Sequence, residues 1–156
     1  MKRRLEDIRP YIRRHKFIAD LGVGPGYYWS RMNTKNAVGV DQSQVNISRL
    51  HKHSPDMKAI LCDVRETGLP DKTYDLIIMS MVLEHIEDYN QVLDEAKRIC
   101  KDDGFFLVAL PVESYHKYHY WPVWTLEDII SLSNKLGELR ELKRSPDCWL
   151  IYVKKL

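Results

Sequence analysis

Between Phe17 and Gly26 the chain reads Phe-Ile-Ala-Asp-Leu-Gly-Val-Gly-Pro-Gly: an apolar run, an acid, then glycine at every second position. The apolar run has the length of a buried strand, and glycine permits backbone angles and close approaches that a side chain forbids. A strand that feeds such a turn belongs in an open α/β sheet, where ligands bind outside the carboxyl ends of the strands. The remaining sequence agrees. Short apolar runs alternate with amphipathic stretches, the pattern of a parallel sheet covered on both faces. Further strands are expected at residues 37–40, 57–62, 74–80 and 105–110, with 74–80, the most apolar, at the centre. Helices are expected over residues 1–15, with Leu5, Ile8 and Ile12 on one face, and over 43–51, capped by Ser43 with Val45, Ile47 and Leu50 apolar. Another spans 89–101 with Val92, Leu93, Ala96 and Ile99 inward, and Asp102-Asp103-Gly104 breaks it. A fourth opens at Thr125, where Asp128 completes a capping box, and ends near Gly137. Two last strands, at 138–143 and 149–154, are joined only by residues around Ser145-Pro146-Asp147. Parallel strands cannot be linked so briefly, so this pair is an antiparallel hairpin. The stretch 64–73 is too short for a full helix after the third strand.

A length of 156 residues fits a single domain, 1–156, with a minimal N-terminal extension, 1–16. The net charge of +2 is too small to argue for nucleic acid by itself. Basic residues do gather at Lys2-Arg3-Arg4 and Arg13-Arg14-His15-Lys16, as a solvated helix face or as a contact for an acidic partner. Cys62, Cys100 and Cys148 are too far apart for a CxxC pair or a zinc knuckle, which suits a reducing compartment. The N-terminus lacks the apolar core of a signal peptide, and no apolar stretch is long enough for a membrane span. A cytoplasmic location is the expectation, with no membrane partner.

Two ligand chemistries use a glycine turn at a strand end. A dinucleotide fingerprint spaces its glycines as GxGxxG around a pyrophosphate, but here Tyr27 takes the third glycine's place. Asp20 would also face the pyrophosphate with the wrong charge, and it suits a cationic ligand better. The segment resembles motif I of the class I S-adenosylmethionine-dependent methyltransferases, acid-x-Gly-x-Gly-x-Gly, which Asp20, Gly22, Gly24 and Gly26 match in full. The resemblance extends through Ala37-Val-Gly-Val-Asp41, Cys62-Asp63-Val64 and Tyr74-Asp75-Leu-Ile-Ile-Met79-Ser80-Met81-Val-Leu-Glu84-His85-Ile86, and is closest to the small-molecule-type branch. It implies a Rossmann-like, mostly parallel seven-stranded sheet with helices on both faces and a C-terminal antiparallel hairpin strand. It also implies S-adenosylmethionine as cofactor, leaving as S-adenosylhomocysteine. By the resemblance, the loop of Gly22, Val23, Gly24 and Gly26 wraps the methionine part, and Asp20 faces its amino group directly or through water. Asp41, 21 positions after Asp20, accepts from the ribose hydroxyls, near the spacing of ribose-binding acids in related units. Gln42 lies beside the adenine, Asp63 accepts from its amino group, and the Val64 backbone N–H serves a ring nitrogen. Met79, Ser80 and Met81 line the methionine end.

For the methyl acceptor, a small molecule or a protein side chain, the candidate region is residues 111–122, dense in aromatics and histidines. His116 or His119 is placed to act as a base near neutral pH, while the aromatics either stack on a planar acceptor or simply pack on the domain. His116-x-x-His119 alone offers too few ligands for zinc, so no metal is expected. His85 borders the site or packs. The scant N-terminus leaves a pocket that is open or closed by a second subunit, either a homodimer or a partner without which the chain is inactive. A nucleic-acid acceptor stays open through the basic N-terminus, although the Asp-Pro-Pro-Tyr and Asn-Pro-Pro-Tyr sequences of DNA amino-methyltransferases are absent. A nucleotide-dependent oxidoreductase is the remaining reading.

Overall fold

The computed structural model describes residues 2–32, 35–112, 119–121 and 123–156, with backbone only for residues 2–6. Its seven strands are β1 (Ile18–Leu21), β2 (Ala37–Asp41), β3 (Lys58–Leu61), β4 (Tyr74–Ser80), β5 (Cys100–Pro111), β6 (Gly137–Arg144) and β7 (Cys148–Lys155). They form one sheet in the order β3-β2-β1-β4-β5-β7-β6. β1 to β5 run parallel, and β7 is antiparallel to both of its neighbours, β5 and β6. This is the Rossmann-like sheet that the resemblance implies. The chain order reverses between β1 and β4, which opens a crevice at their carboxyl ends.

β4 sits at the centre because both of its faces are apolar, with β1 beside it. Leu76, Ile77, Ile78 and Met79 are all fully buried, each contributing about 1.5–3 kcal/mol over exposure. One face of the sheet packs against α3 (Asn90–Ile99) and α4 (Leu126–Leu136) through Leu93, Ala96, Ile129 and Leu132. The other packs against α1 (Lys2–Ile12) and α2 (Gln44–His53) through Ile8, Ile12 and Leu50, with Trp29 beside them. The caps read from sequence are present. The Ser43 hydroxyl accepts from the Asn46 N–H, and Thr125 and Asp128 form a reciprocal capping box.

Four local expectations need correction. α1 ends at Ile12 rather than near residue 15, because the N–H groups of Arg14 and His15 bond three residues back and turn the chain toward the sheet. His15 then meets the Tyr152 hydroxyl at 3.0 Å. Val45 is exposed, since it lies off the face that Ile47 and Leu50 bury. α3 stops at Ile99, and β5 already starts at Cys100. Asp102-Asp103-Gly104 is thus a bulge inside β5: Tyr74 pairs with Cys100, while Leu76 pairs with Phe105.

No helix joins β3 to β4. Side chains of α3 hold that crossover instead. Glu95 accepts from the Thr67 N–H at 2.8 Å and from its hydroxyl at 2.5 Å. Arg98 bonds Glu95, the Leu69 carbonyl and Asp71. The Arg98 contact holds the Glu95 carboxyl well below the usual range, at about 2, against the opposing effect of burial. At the far edge, β6 exposes Glu138, Arg140, Glu141, Lys143 and Arg144, and such charges block pairing with another edge. Among the described residues, no helix is long and apolar enough to cross a membrane.

Candidate active site

The carboxyl ends of β1 to β4 surround a cavity of about 710 Å³, within the range of small-molecule sites. Seven of the residues singled out from sequence line it together: Gly22, Gly24, Asp41, Gln42, Asp63, Val64 and Met81. They come from four separate strand ends, which parallel pairing brings to one side.

The glycine turn is built for close approach. The N–H groups of Gly22 and Val23 both donate to the Val40 carbonyl, at 2.8 and 2.9 Å, so the turn folds back over β2. Gly22 has a φ of +74°, and a Cβ there would lie 2.5 Å from Val82. Gly24 has a φ of +58° and nothing within 4 Å of where a Cβ would stand, so this backbone faces the open cavity. Met81, opposite, holds a φ of +58° without being glycine. Non-glycine residues persist in that conformation only where their surroundings enforce it, often at functional sites.

Asp41 is pre-oriented by three donors. Gly24 N–H donates to Oδ2 at 2.8 Å, while Ser43 N–H and the Asn46 amide donate to Oδ1 at 2.9 and 3.1 Å. A carboxylate has about four acceptor positions, so capacity remains on Oδ2. Asp63 is held bidentately by Arg65, whose contact keeps its carboxyl below the usual range. Arg65 and Asn46 were not read from sequence, although each bonds a nearby acid: Arg65 lies two positions after Asp63, and Asn46 five after Asp41.

Five of the expected residues do not line the cavity. Val23 packs under the turn against Gly39, Met79 is fully buried in the core, Ser80 is half-buried at the end of β4, and Gly26 abuts Leu50. Asp20 is fully buried behind the turn, where the Tyr28 hydroxyl and the Trp29 indole N–H donate to its Oδ2, the latter at 2.6 Å. Its Oδ1 has no hydrogen-bond partner. Burial pushes its carboxyl up to about 7, the two donors hold it down, and the Asp41 charge adds to the rise. The Tyr28-Trp29 pair was missed in sequence, although its position just past the glycines was the signal. Of the proposed bases, His116 lies outside the described residues. His119 is half-buried with its ring edge-on to His85, centroids 4.5 Å apart, and His85 lines the cavity with Tyr120.

The cavity wall carries four carboxylates, Asp41, Asp63, Glu87 and Asp88, against one guanidinium, Arg65. That wall favours a cation. An open glycine backbone, a pre-oriented acid at the end of β2 and a buried carboxylate with an unused oxygen behind the turn fit a ligand with a sugar and a cationic amino-acid tail. A family profile described as a methyltransferase domain matches residues 19–108, from β1 into β5. The chain belongs to the class I S-adenosylmethionine-dependent methyltransferases. A probable S-adenosylmethionine-dependent methyltransferase of Mycolicibacterium smegmatis is 25% identical over 96 residues, covering 60% of this chain and 37% of that protein. The trans-aconitate 2-methyltransferase of Escherichia coli is 25% identical over 100 residues, 62% of this chain and 39% of that one. This methyltransferase domain therefore spans little more than a third of the length of the curated relatives it matches. Its fold is similar to that of the Burkholderia thailandensis 1,6-didemethyltoxoflavin-N1-methyltransferase, solved with 1,6-didemethyltoxoflavin and S-adenosylhomocysteine bound. The TM-score is 0.79 at 16% identity, over 97% of this chain and 76% of that one.

Proposed function

We propose that the domain binds S-adenosylmethionine in the cavity at the β1/β4 switch point and passes its methyl group to a small-molecule acceptor. The observation that carries this reading is the acidic cavity into which Gly24 opens and over which Asp41 is fixed. When bound, the cofactor supplies a methyl group on a sulfonium, whose departure leaves a neutral thioether. The chain's own residues bind and orient. Gly22 and Gly24 let the backbone approach the amino-acid tail, and Asp20 and the acidic wall favour its positive charge. Asp41 accepts from the ribose, Gln42 flanks the adenine, and Asp63 with the Val64 N–H meets its polar edge. Fixing acceptor, methyl carbon and sulfur in line supplies several kcal/mol of catalysis, so no covalent intermediate on the protein is needed. The acceptor enters past Tyr120 and His85, with His119 behind them.

A small acceptor agrees with the relative named for trans-aconitate. Of the N-terminal basic residues, Arg9, Arg13, His15 and Lys16 line a cavity at the opposite end of the sheet, which disfavours a nucleic-acid acceptor at the acidic cavity. Titration with S-adenosylhomocysteine tests the reading. At 100 times its Kd a ligand stabilises by about 2.7 kcal/mol, a rise in Tm of about 5–10 °C for a domain of this size, whereas NAD is expected to produce none. Turnover to S-adenosylhomocysteine across an acceptor panel separates an active enzyme from a subunit that binds and stays silent.

A further inference from the structure

The loop that follows β5 returns to the short 3-10 turn after β4. The Tyr120 N–H donates to the Glu84 carbonyl at 2.8 Å, and the Trp121 indole donates to the Ile86 carbonyl at 3.1 Å. These bonds pin two segments that are distant in sequence, and they bring three metal-ligating side chains together. One ligand atom each from Glu84, His85 and His119 lies within 4.8 Å of the other two. Glu84 is 1% exposed, His119 is half-buried, and His85 opens to the cavity. The burial is graded from protein toward solvent, so one side of the cluster faces the acceptor's entrance.

We propose that Glu84, His85 and His119 form a divalent metal site of the zinc type at the acceptor end of the cavity. Two imidazoles and one carboxylate are a donor set that zinc uses in catalytic sites, which keep a fourth position open. With zinc–ligand bonds of about 2.0–2.1 Å, tetrahedral ligands stand roughly 3.3 Å apart. The three atoms therefore need to close by no more than about 1.5 Å, within reach of rotamer changes in a single 3-10 turn and a loop residue. His85 lines the same cavity wall as Asp41, Asp63, Glu87 and Asp88. An anionic oxygen acceptor approaching that wall alone meets like charge; an ion held at its edge reverses the local sign and binds the oxygen. A bound divalent ion also lowers the pKa of a coordinated hydroxyl toward neutrality. The acceptor proton leaves to solvent, the oxygen forms its bond to the methyl carbon, and the carbon–sulfur bond breaks with its electron pair remaining on sulfur. The role of the site rests on the methyltransferase reading; the site itself does not.

The test uses the untagged full chain stripped with chelator, with cobalt(II) as probe. One equivalent is expected to bind, with the visible absorption of four- or five-coordinate cobalt, and zinc is expected to displace it. His85→Ala, at an exposed position, and His119→Ala are each expected to weaken cobalt binding on the order of 100-fold with Tm within a few degrees of the parent. Glu84→Gln is the third variant, and its fold is checked by Tm because the position is buried. No visible band, or a band that survives in His85→Ala and His119→Ala together, overturns the site. S-adenosylhomocysteine is titrated into the stripped protein in parallel. Its binding without any cobalt band overturns the metal site and leaves the methyltransferase reading standing. A variant-sensitive band with no S-adenosylhomocysteine heat supports the site and removes the cofactor reading instead.

Discussion

The two ends of the parallel sheet carry opposite charge. At the carboxyl ends of the strands, Asp41, Asp63, Glu87 and Asp88 face a single Arg65 around a cavity of about 710 Å³. At the amino ends, a second cavity, of about 450 Å³, is lined by Arg9, Arg13, His15, Lys16, Arg31 and Lys35, with no carboxylate among its lining residues. The net charge of +2 conceals this separation. The difference lies in backbone as well as charge. At the carboxyl end, positive-φ Gly22 and Gly24 and the pre-oriented Asp41 line the cavity itself, the features that turn a charged surface into a site. The amino end has long, flexible cations on a helix end and on turns, which cost side-chain entropy to order.

The largest effect should come from closing the glycine turn. Gly24→Val places a β-branched residue at a φ of +58° and fills the open side of the cavity. Calorimetry is expected to detect no S-adenosylhomocysteine binding, while Lys35→Glu at the other end leaves binding unchanged. Full affinity in Gly24→Val would remove the carboxyl end's claim to be the cofactor site. Next comes Asp41→Ala. Hydrogen bonds to a charged group are worth about 1.5–3 kcal/mol each, so losing the ribose contact should weaken binding on the order of 100-fold. Part of that loss comes from the Gly24 N–H and Asn46 amide, which lose the acceptor that orders them.

Most of this end was legible in sequence because strand-end motifs are local. A glycine's φ, an N-cap and an acid closing a strand are each fixed by a few neighbouring residues. Asp20 shows where that legibility stops. Its position in motif I was plain, but its burial under Tyr28 and Trp29 depends on how the link from β1 to β2 folds back through a 3-10 turn. The β5 bulge was missed for a similar reason. Asp102-Asp103-Gly104 reads as a break, and only pairing with Tyr74 and Leu76 makes it an irregularity inside a strand. The meeting of His85 with His119 is likewise a tertiary fact that no spacing of the two in sequence conveys.

Asp20 supplies the next prediction, on pH. Its carboxyl is pushed up to about 7 in the fold, above an unfolded value of about 3.9, so the folded protein keeps a proton that the unfolded chain releases. Stability of the free protein should therefore fall as pH rises from about 4 to about 7, then level off. Binding a cationic tail nearby favours the ionised form, so cofactor affinity should move the opposite way, rising by up to about tenfold per pH unit below 7. Asp20→Asn is expected to flatten both profiles and to abolish proton release on binding, measured as equal heats in two buffers of different ionisation enthalpy at pH 6.5. Proton release that persists in Asp20→Asn assigns the titration to another group.

The smallest effect is the sharpest check on the comparison. Arg13→Glu and Lys16→Glu together reverse part of the amino-end charge while leaving every residue of the acidic cavity in place. The two cavities sit at opposite ends of the strands, and at physiological ionic strength charges farther apart than about 8 Å are largely screened. The cofactor affinity of the double variant should stay within about twofold of the parent at 0.15 M salt, and a modest rise should emerge only as salt is lowered, since added negative charge attracts a cationic ligand. A tenfold change at 0.15 M salt would mean that the two ends communicate through the fold. The contrast between a binding end and a merely charged end would then have to be replaced by a single coupled surface.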